Sequence, residues 1–171
     1  MLREATEYFI LNNFSVSVMG RDIQKLNYFI HKFPGKKTID LISQDYCDTE
    51  SFIKSVDNNI KLHGIYDIVI SWIHSNANNS LLQLIDVLAK YNNKTIFYDI
   101  KGSTSLSLAQ TKSNLFSNKL DYREISLGFK IENNSSRWLT NTEISNGIID
   151  AYMSKKTKYV VGQIEPADRR P

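Results

Sequence analysis

The chain has 171 residues, 42% of them hydrophobic and 23% charged, which predicts one globular domain with enough length to bury a substantial core, not a disordered segment. A net charge of +3, spread evenly, excludes a nucleic-acid surface; Lys36-Lys37, Lys155-Lys156 and Arg169-Arg170 read as solvated pairs. The single Cys47 excludes a disulfide framework, the apolar runs of four or five residues are far short of the ~20 that span a bilayer, and Met1-Leu2-Arg3-Glu4 does not open a secretory signal, so a soluble, cytoplasmic protein with no membrane partner is expected.

Residues 2–12 read as a helix with Leu2, Ala5, Tyr8 and Phe9 on one stripe and Arg3, Glu4 and Glu7 outward. A short strand follows over 14–19, stopped by Gly20-Arg21-Asp22. Asp22 caps a helix over 23–32 whose inner face is Leu26, Phe29, Ile30 and Phe33, and Phe33-Pro34-Gly35 breaks the chain. A second strand spans 38–43 and a loop spans 44–48. The next helix, 49–62, turns Phe52, Ile53, Val56 and Ile60 inward.

Residues 64–75 carry the clearest strand signal in the chain. Ile65, Ile68, Val69 and Ile70 are β-branched and nearly continuous, the pattern of a strand buried on both faces. Ser71, His74, Ser75 and Asn76 follow at once, so the strand runs out into a polar loop ahead of a helix over 79–91. In open α/β sheets ligands sit beyond the carboxyl ends of such strands, which makes 71–75 the first place to seek a small molecule.

A fourth strand spans 94–100. The Ser-rich stretch 101–119 reads as a loop with a helical turn or two around 106–116, and strand character returns over 122–131. Asn133-Asn134 is a turn. Thr140-Asn141-Thr142-Glu143 is a capping box opening a helix through 154, with Ile144, Ile148, Ile149 and Tyr152 inward; a last strand covers 159–163. Strands alternating with helices in this way predict βαβ units and an α/β fold with a mainly parallel sheet.

Several pieces together resemble the short-chain dehydrogenase/reductase superfamily, in a small bacterial variant. They are Val18-Met19-Gly20-Arg21 at a strand end, Asp45-Tyr46 after the next strand, residues 66–74, residues 137–145, and Tyr159-Val160-Val161-Gly162-Gln163 as the last strand. Ser71-Trp72-Ile73-His74 stands where typical members carry an Asn-Asn-Ala-Gly loop. The resemblance implies a Rossmann-like, doubly wound, mainly parallel sheet over residues 1–171 as a single NAD(P)-binding domain. It also implies that the family's first strand and glycine-rich phosphate loop are missing, because Met1-Leu2 resembles the continuation of that loop. None of the seven glycines lies two or three residues from another ahead of a helix, the spacing that lets backbone amides approach a pyrophosphate.

On this resemblance Arg21 accommodates the 2′-phosphate of NADP, which favours NADP over NAD; the plain reading is a solvated loop arginine. Asp45 bonds the adenine amino group or is an ordinary loop carboxylate, and Tyr46 stacks on the ring or does neither. Ser71, Trp72 and Ile73 line the nicotinamide-ribose side, with a core role for Trp72 the alternative. His74 is the titratable group of interest, against a plain structural role, whereas His31 and His63 sit at helix ends on the surface.

The family's catalytic Tyr-x-x-x-Lys pair is not carried over to this chain. Tyr91 and Lys94, and Tyr98 and Lys101, stand three apart instead of four, and the loop serines and threonine Ser103, Thr104 and Ser105 have no partner tyrosine in a convincing helix, so the catalytic residues are unknown. No metal-ligand cluster is evident. The expectation is therefore an oxidoreductase using NADP(H) on an unknown carbonyl or alcohol, with a non-catalytic dinucleotide-binding, sensing or interaction domain, or a form that binds nothing, as alternatives. Without the first strand, the strand around Val16 and the strand at 68–70 face a gap; the sheet is expected to show that gap or an altered order, or to pair with a second chain as a homo-oligomer.

Overall fold

The computed structural model describes residues 1–91, 94–102 and 120–171. In chain order the elements are α1 (Arg3–Leu11), β1 (Val16–Gly20), α2 (Ile23–Lys32), β2 (Ile39–Ser43), α3 (Thr49–His63), β3 (Ile68–Ser71) and α4 (Asn78–Lys90). They continue as β4 (Thr95–Gly102), β5 (Leu120–Leu127), β6 (Phe129–Glu132), β7 (Ser135–Trp138), α5 (Asn141–Ser154) and β8 (Lys158–Val161). The loop expected around 106–116, with Ser103, Thr104 and Ser105, lies outside the described residues.

The caps follow the side-chain chemistry. Asp22 accepts from the amides of Gln24 and Lys25, and Asp48 from that of Ser51, satisfying donors that a helix start leaves free. Thr140 and Glu143 make both bonds of the capping box.

β3, β4, β5 and β8 form one all-parallel sheet, and β1 and β2 form a separate parallel pair. Helices cover both faces of the larger sheet, as a doubly wound fold requires. On one face Phe52, Val56 and Ile60 of α3 and Leu84, Ile85 and Leu88 of α4 pack with Phe97 and Leu120. On the other, Ala5 of α1 and Ile144, Ile148 and Ala151 of α5 pack with Tyr98, Ile100, Ile125, Leu127 and Val161.

The expected gap is present: β1 pairs only with β2, and β3 only with β4, among the described residues. This corrects one detail of the sequence reading. Ile68, Val69 and Ile70 are half-buried and not enclosed, because the outer edge of β3 faces the gap. Ile30, expected inward, is 43% exposed; the buried residues of α2 are Leu26 and Phe29.

The strand expected over 122–131 is two elements. β5 ends at Leu127, and after Gly128 the chain turns into β6, which pairs antiparallel with β7. A Cβ on Gly128 would lie 2.0 Å from the Gln163 carbonyl oxygen, so this crossing admits only glycine. Asn133 and Asn134 form the expected turn with φ of 50° and 65°, the left-handed pair that a two-residue hairpin turn needs.

Candidate functional site

The site is built where β1, β2 and β3 end. The Asp22 cap fixes the turn after Gly20, so Arg21 projects from the carboxyl end of β1 with its side chain 66% exposed. β2 continues alongside, the Gln44 amide donating to the Gly20 carbonyl at 2.9 Å, and delivers Asp45 next to Arg21. Arg21 Nη1 lies 3.5 Å from Asp45 Oδ2.

Asp45 Oδ1 accepts from the Cys47 amide at 2.8 Å. That backbone bond, with the Arg21 guanidinium adding to it, holds the Asp45 carboxyl below the ordinary aspartate value. Tyr46 is half-buried. Its carbonyl accepts from Ser80 Oγ at 2.6 Å, which ties the loop after β2 to the first turn of α4.

β3 supplies Ser71 at its last position. Ser71 is 6% exposed, and its Oγ has no hydrogen-bond partner among the described residues. Trp72 packs against the core on the α1 and α5 side, and the His74 ring meets it edge-on at 5.3 Å. His74 itself is exposed, and its carbonyl accepts from the Ala77 amide at 2.9 Å to start a short 3-10 turn.

Of the seven residues singled out from the sequence, Arg21, Tyr46, Ser71, Trp72 and Ile73 line one cleft of about 960 Å³. Asp45 reaches it through Arg21, and His74 through Trp72. Five residues from three separate strand ends therefore converge on one space.

No family model and no curated protein matches the sequence. Solved structures do match. A short-chain dehydrogenase/reductase (glucose/ribitol dehydrogenase) from Brucella melitensis superposes with a TM-score of 0.70 at 13% identity, covering 93% of this chain and 88% of its own. A short-chain dehydrogenase/reductase family oxidoreductase from Aeromonas hydrophila gives 0.62 at 14% identity, covering 94% and 92%. An alcohol dehydrogenase from Thermococcus sibiricus, solved in complex with 5-hydroxy-NADP, gives 0.58 at 12%, covering 92% and 89%. The fold is that of the short-chain dehydrogenases.

On this short-chain dehydrogenase fold, one arrangement of buried polar residues escaped the sequence reading. In the ladder register Ser71, Asp99 and Glu124 stand side by side across β3, β4 and β5, and Asp99 and Glu124 are only 3% and 5% exposed. Tyr122 Oη donates to Asp99 Oδ2 at 2.6 Å, and Lys101 Nζ is paired with Glu124. Burial pushes the Asp99 carboxyl above its ordinary value, against the Tyr122 bond and the nearby Lys101 charge. The Tyr122 phenol is driven up by burial first and by Asp99 second. The signal available in the sequence was Asp99 and Lys101 at alternate positions of an otherwise apolar strand, where one face must carry both charges.

Tyr98 and Lys101, the spacing noted earlier, point to opposite faces of β4. Tyr98 is 1% exposed and accepts from Arg123 Nη1 at 3.1 Å. It therefore cannot act with Lys101 as an acid–base pair.

The fit of a dinucleotide divides along the cleft. At one end of it lies the Arg21–Asp45 ion pair, and at the carboxyl end of β3 lie the unpartnered Ser71 Oγ, Trp72 and Ile73. Between them no glycine-rich turn offers amides to the pyrophosphate, so the middle of the cofactor lacks its cradle among the described residues. Among the described residues no group of His, Cys, Asp and Glu is placed to hold a metal, and no helix is long and apolar enough to cross a membrane.

Proposed function

We propose that this chain is a short-chain dehydrogenase-like oxidoreductase that takes NADP(H), in preference to NAD(H), and acts on a carbonyl or alcohol. The observation that carries the reading is the convergence of Arg21, Tyr46, Ser71, Trp72 and Ile73 on one cleft at the carboxyl ends of β1, β2 and β3. That is the position in an open α/β sheet where nucleotides bind.

Residue roles follow from chemistry. Arg21, exposed and held loosely by a single 3.5 Å ion pair, offers its guanidinium to a ribose 2′-phosphate. Asp45, kept ionised, accepts from the adenine amino group. Ser71 Oγ takes a polar group of the nicotinamide half, which relieves its buried, unpaired state. The bound cofactor supplies the hydride. One of the structural neighbours, the Thermococcus sibiricus enzyme, is complexed with 5-hydroxy-NADP, in keeping with this class of cofactor.

A second reading is favoured by one observation: Tyr98 is locked in the core and paired with Arg123, and of the two tyrosines with a lysine four residues on, Tyr28 donates to Glu7 while Tyr152 packs edge-on with Tyr8, Phe9 and Phe14. On that reading the chain holds the dinucleotide without chemistry. Titration of NADPH by its own fluorescence, followed by a panel of carbonyl substrates, separates the two. Saturable binding with turnover supports the oxidoreductase, saturable binding without turnover supports the binding domain, and absence of binding overturns both.

A further inference from the structure

Resting on the oxidoreductase reading, we propose that His74 is the group that exchanges a proton with the substrate oxygen, as donor when a carbonyl is reduced and as acceptor when an alcohol is oxidised. Ser71, Trp72 and Ile73 line the cleft at the carboxyl end of β3, and His74 follows directly. Its ring meets Trp72 edge-on, with centroids 5.3 Å apart and planes at 72°. Trp72 is itself packed against the α1 and α5 side of the core, so this contact holds the imidazole beside the cleft wall. The bond from the Ala77 amide to the His74 carbonyl fixes the backbone at the same point. His74 is exposed, so a proton it gives up is replaced from water.

Between Asp67 and Asp86, His74 is the only side chain that titrates. The cleft residues from 68 to 73, with Leu84 of α4 and Asn141 and Ser145 of α5, include no titratable group. The acidic and basic side chains that do line the cleft, Arg3, Glu4, Arg21, Asp22 and Lys25, belong to the start of α1 or follow β1. Of its tyrosines, Tyr28 is bonded to Glu7, Tyr66 to Asn59, and Tyr46 stands in the loop after β2. Asp99 and Lys101 do not line it: Asp99 is 3% exposed and bonded by Tyr122, and Lys101 is paired with Glu124.

An imidazole changes charge near neutral pH, the range that a general acid and base must span. No charged side chain pairs with His74 among the described residues, and residues 75–80 after it carry no charge. Of the helices beside it, α1 brings Arg3 and Glu4 to the cleft, whereas α4 and α5 bring only uncharged residues. In reduction the carbonyl carbon gains a hydride from the bound cofactor, which is oxidised. The π pair moves to the oxygen, and the oxygen takes the imidazolium proton. In oxidation neutral imidazole takes the hydroxyl proton as the hydride leaves carbon.

The test compares the full chain with His74→Gln, a change at an exposed side chain. The chain has three histidines, so the imidazole resonance lost in the variant identifies His74 by proton NMR. His31 and His63, outside the cleft lining, are internal controls. The nicotinamide ring is positively charged in NADP+ and neutral in NADPH. Saturating NADP+ should therefore lower the His74 titration midpoint, relative to saturating NADPH, by about half a pH unit or more, and leave His31 and His63 in place. Equal midpoints overturn the proposal.

Turnover of NADPH with butane-2,3-dione, cyclohexanone and benzaldehyde gives the second readout. In His74→Gln kcat should fall about a hundredfold or more near neutral pH, with KM changed far less. The parent's reduction rate should fall as pH rises through the imidazole range, because the donor must be protonated, and the variant's residual rate should not. An unaltered rate and pH profile in His74→Gln overturns the proposal and leaves the oxidoreductase reading standing. No turnover by the parent chain fails that reading, and the proposal falls with it.

Discussion

Tyr66 Oη donates to Asn59 Oδ1 at 2.6 Å, and through this bond the two parts of the divided sheet are held together on one face. Asn59 is 4% exposed on α3. The same Oδ1 accepts from Ser17 Oγ of β1 at 3.0 Å, and its Nδ2 donates to Asp40 of β2 at 2.5 Å. One amide thus links the β1–β2 pair to the residue leading into β3, and among the described residues no backbone ladder joins that pair to β3.

Asn59→Ala leaves Ser17, Asp40 and Tyr66 without their shared partner. The substitution is expected to lower the unfolding free energy by about 2–3 kcal/mol, in line with loss of a buried hydrogen-bonded group and the groups it served. Denaturant unfolding checks this. A change within about 0.5 kcal/mol, ordinary for a surface site, would remove Asn59 from that role.

Gly147 tests the other face. A Cβ there would lie 2.4 and 2.5 Å from the two Cγ atoms of Val161, so α5 sits on β8 at a distance only glycine allows. Gly147→Ala gains about 1 kcal/mol of helix propensity but is expected to destabilise overall, since overpacking costs about 1–3 kcal/mol. Adding Val161→Ala should recover part of the loss, and a double-mutant cycle measures that coupling.

Much of the fold was legible because its signals are local. Asp22, Asp48 and the Thr140–Glu143 box mark helix starts by the bonds they can make, and the structure makes those bonds. What was not legible depends on neighbours distant in sequence. Ile68 to Ile70 are apolar enough for a fully buried strand, yet their exposure is set by the open edge across from β1. Gly128 is an unremarkable residue in the sequence; only the approach of Gln163 makes it the point where β5 ends and the β6–β7 hairpin begins. In the site, residues after strand ends could be named one by one, but the Ser71–Asp99–Glu124 row required the register of three strands.

Acid stability follows from α5. Glu143 is held far below the usual carboxylate range, first by hydrogen bonds from Arg137 and then by Lys130 and the Thr140 amide. A depressed carboxylate stabilises the fold at pH values above its unfolded value of about 4.3, and that contribution is lost as pH falls. Glu143→Gln keeps an acceptor for the capping bond but removes the charge. Its unfolding free energy should fall less steeply than that of the parent between about pH 5 and pH 2, as read by denaturant unfolding across that range. Parallel slopes would contradict the assignment.

On the proposed function, Arg21 is the residue that favours NADP(H) over NAD(H). Loss of its charge-assisted bonds to a 2′-phosphate in Arg21→Gln should weaken NADPH by about 1.5–3 kcal/mol, roughly ten- to a hundredfold, and leave NADH unchanged. Isothermal titration with both cofactors makes the comparison. An equal loss for both would assign Arg21 to the loop and not to the phosphate.

The central claim is that a reduced dinucleotide lies against Trp72 at the carboxyl end of β3. The chain has two tryptophans, so in Trp138→Phe the indole fluorescence comes from Trp72 alone. Titration of that variant with NADPH should quench Trp72 saturably, with energy transferred to the nicotinamide emission. Fluorescence that declines only linearly, as expected from absorption of the light by free NADPH, would contradict it.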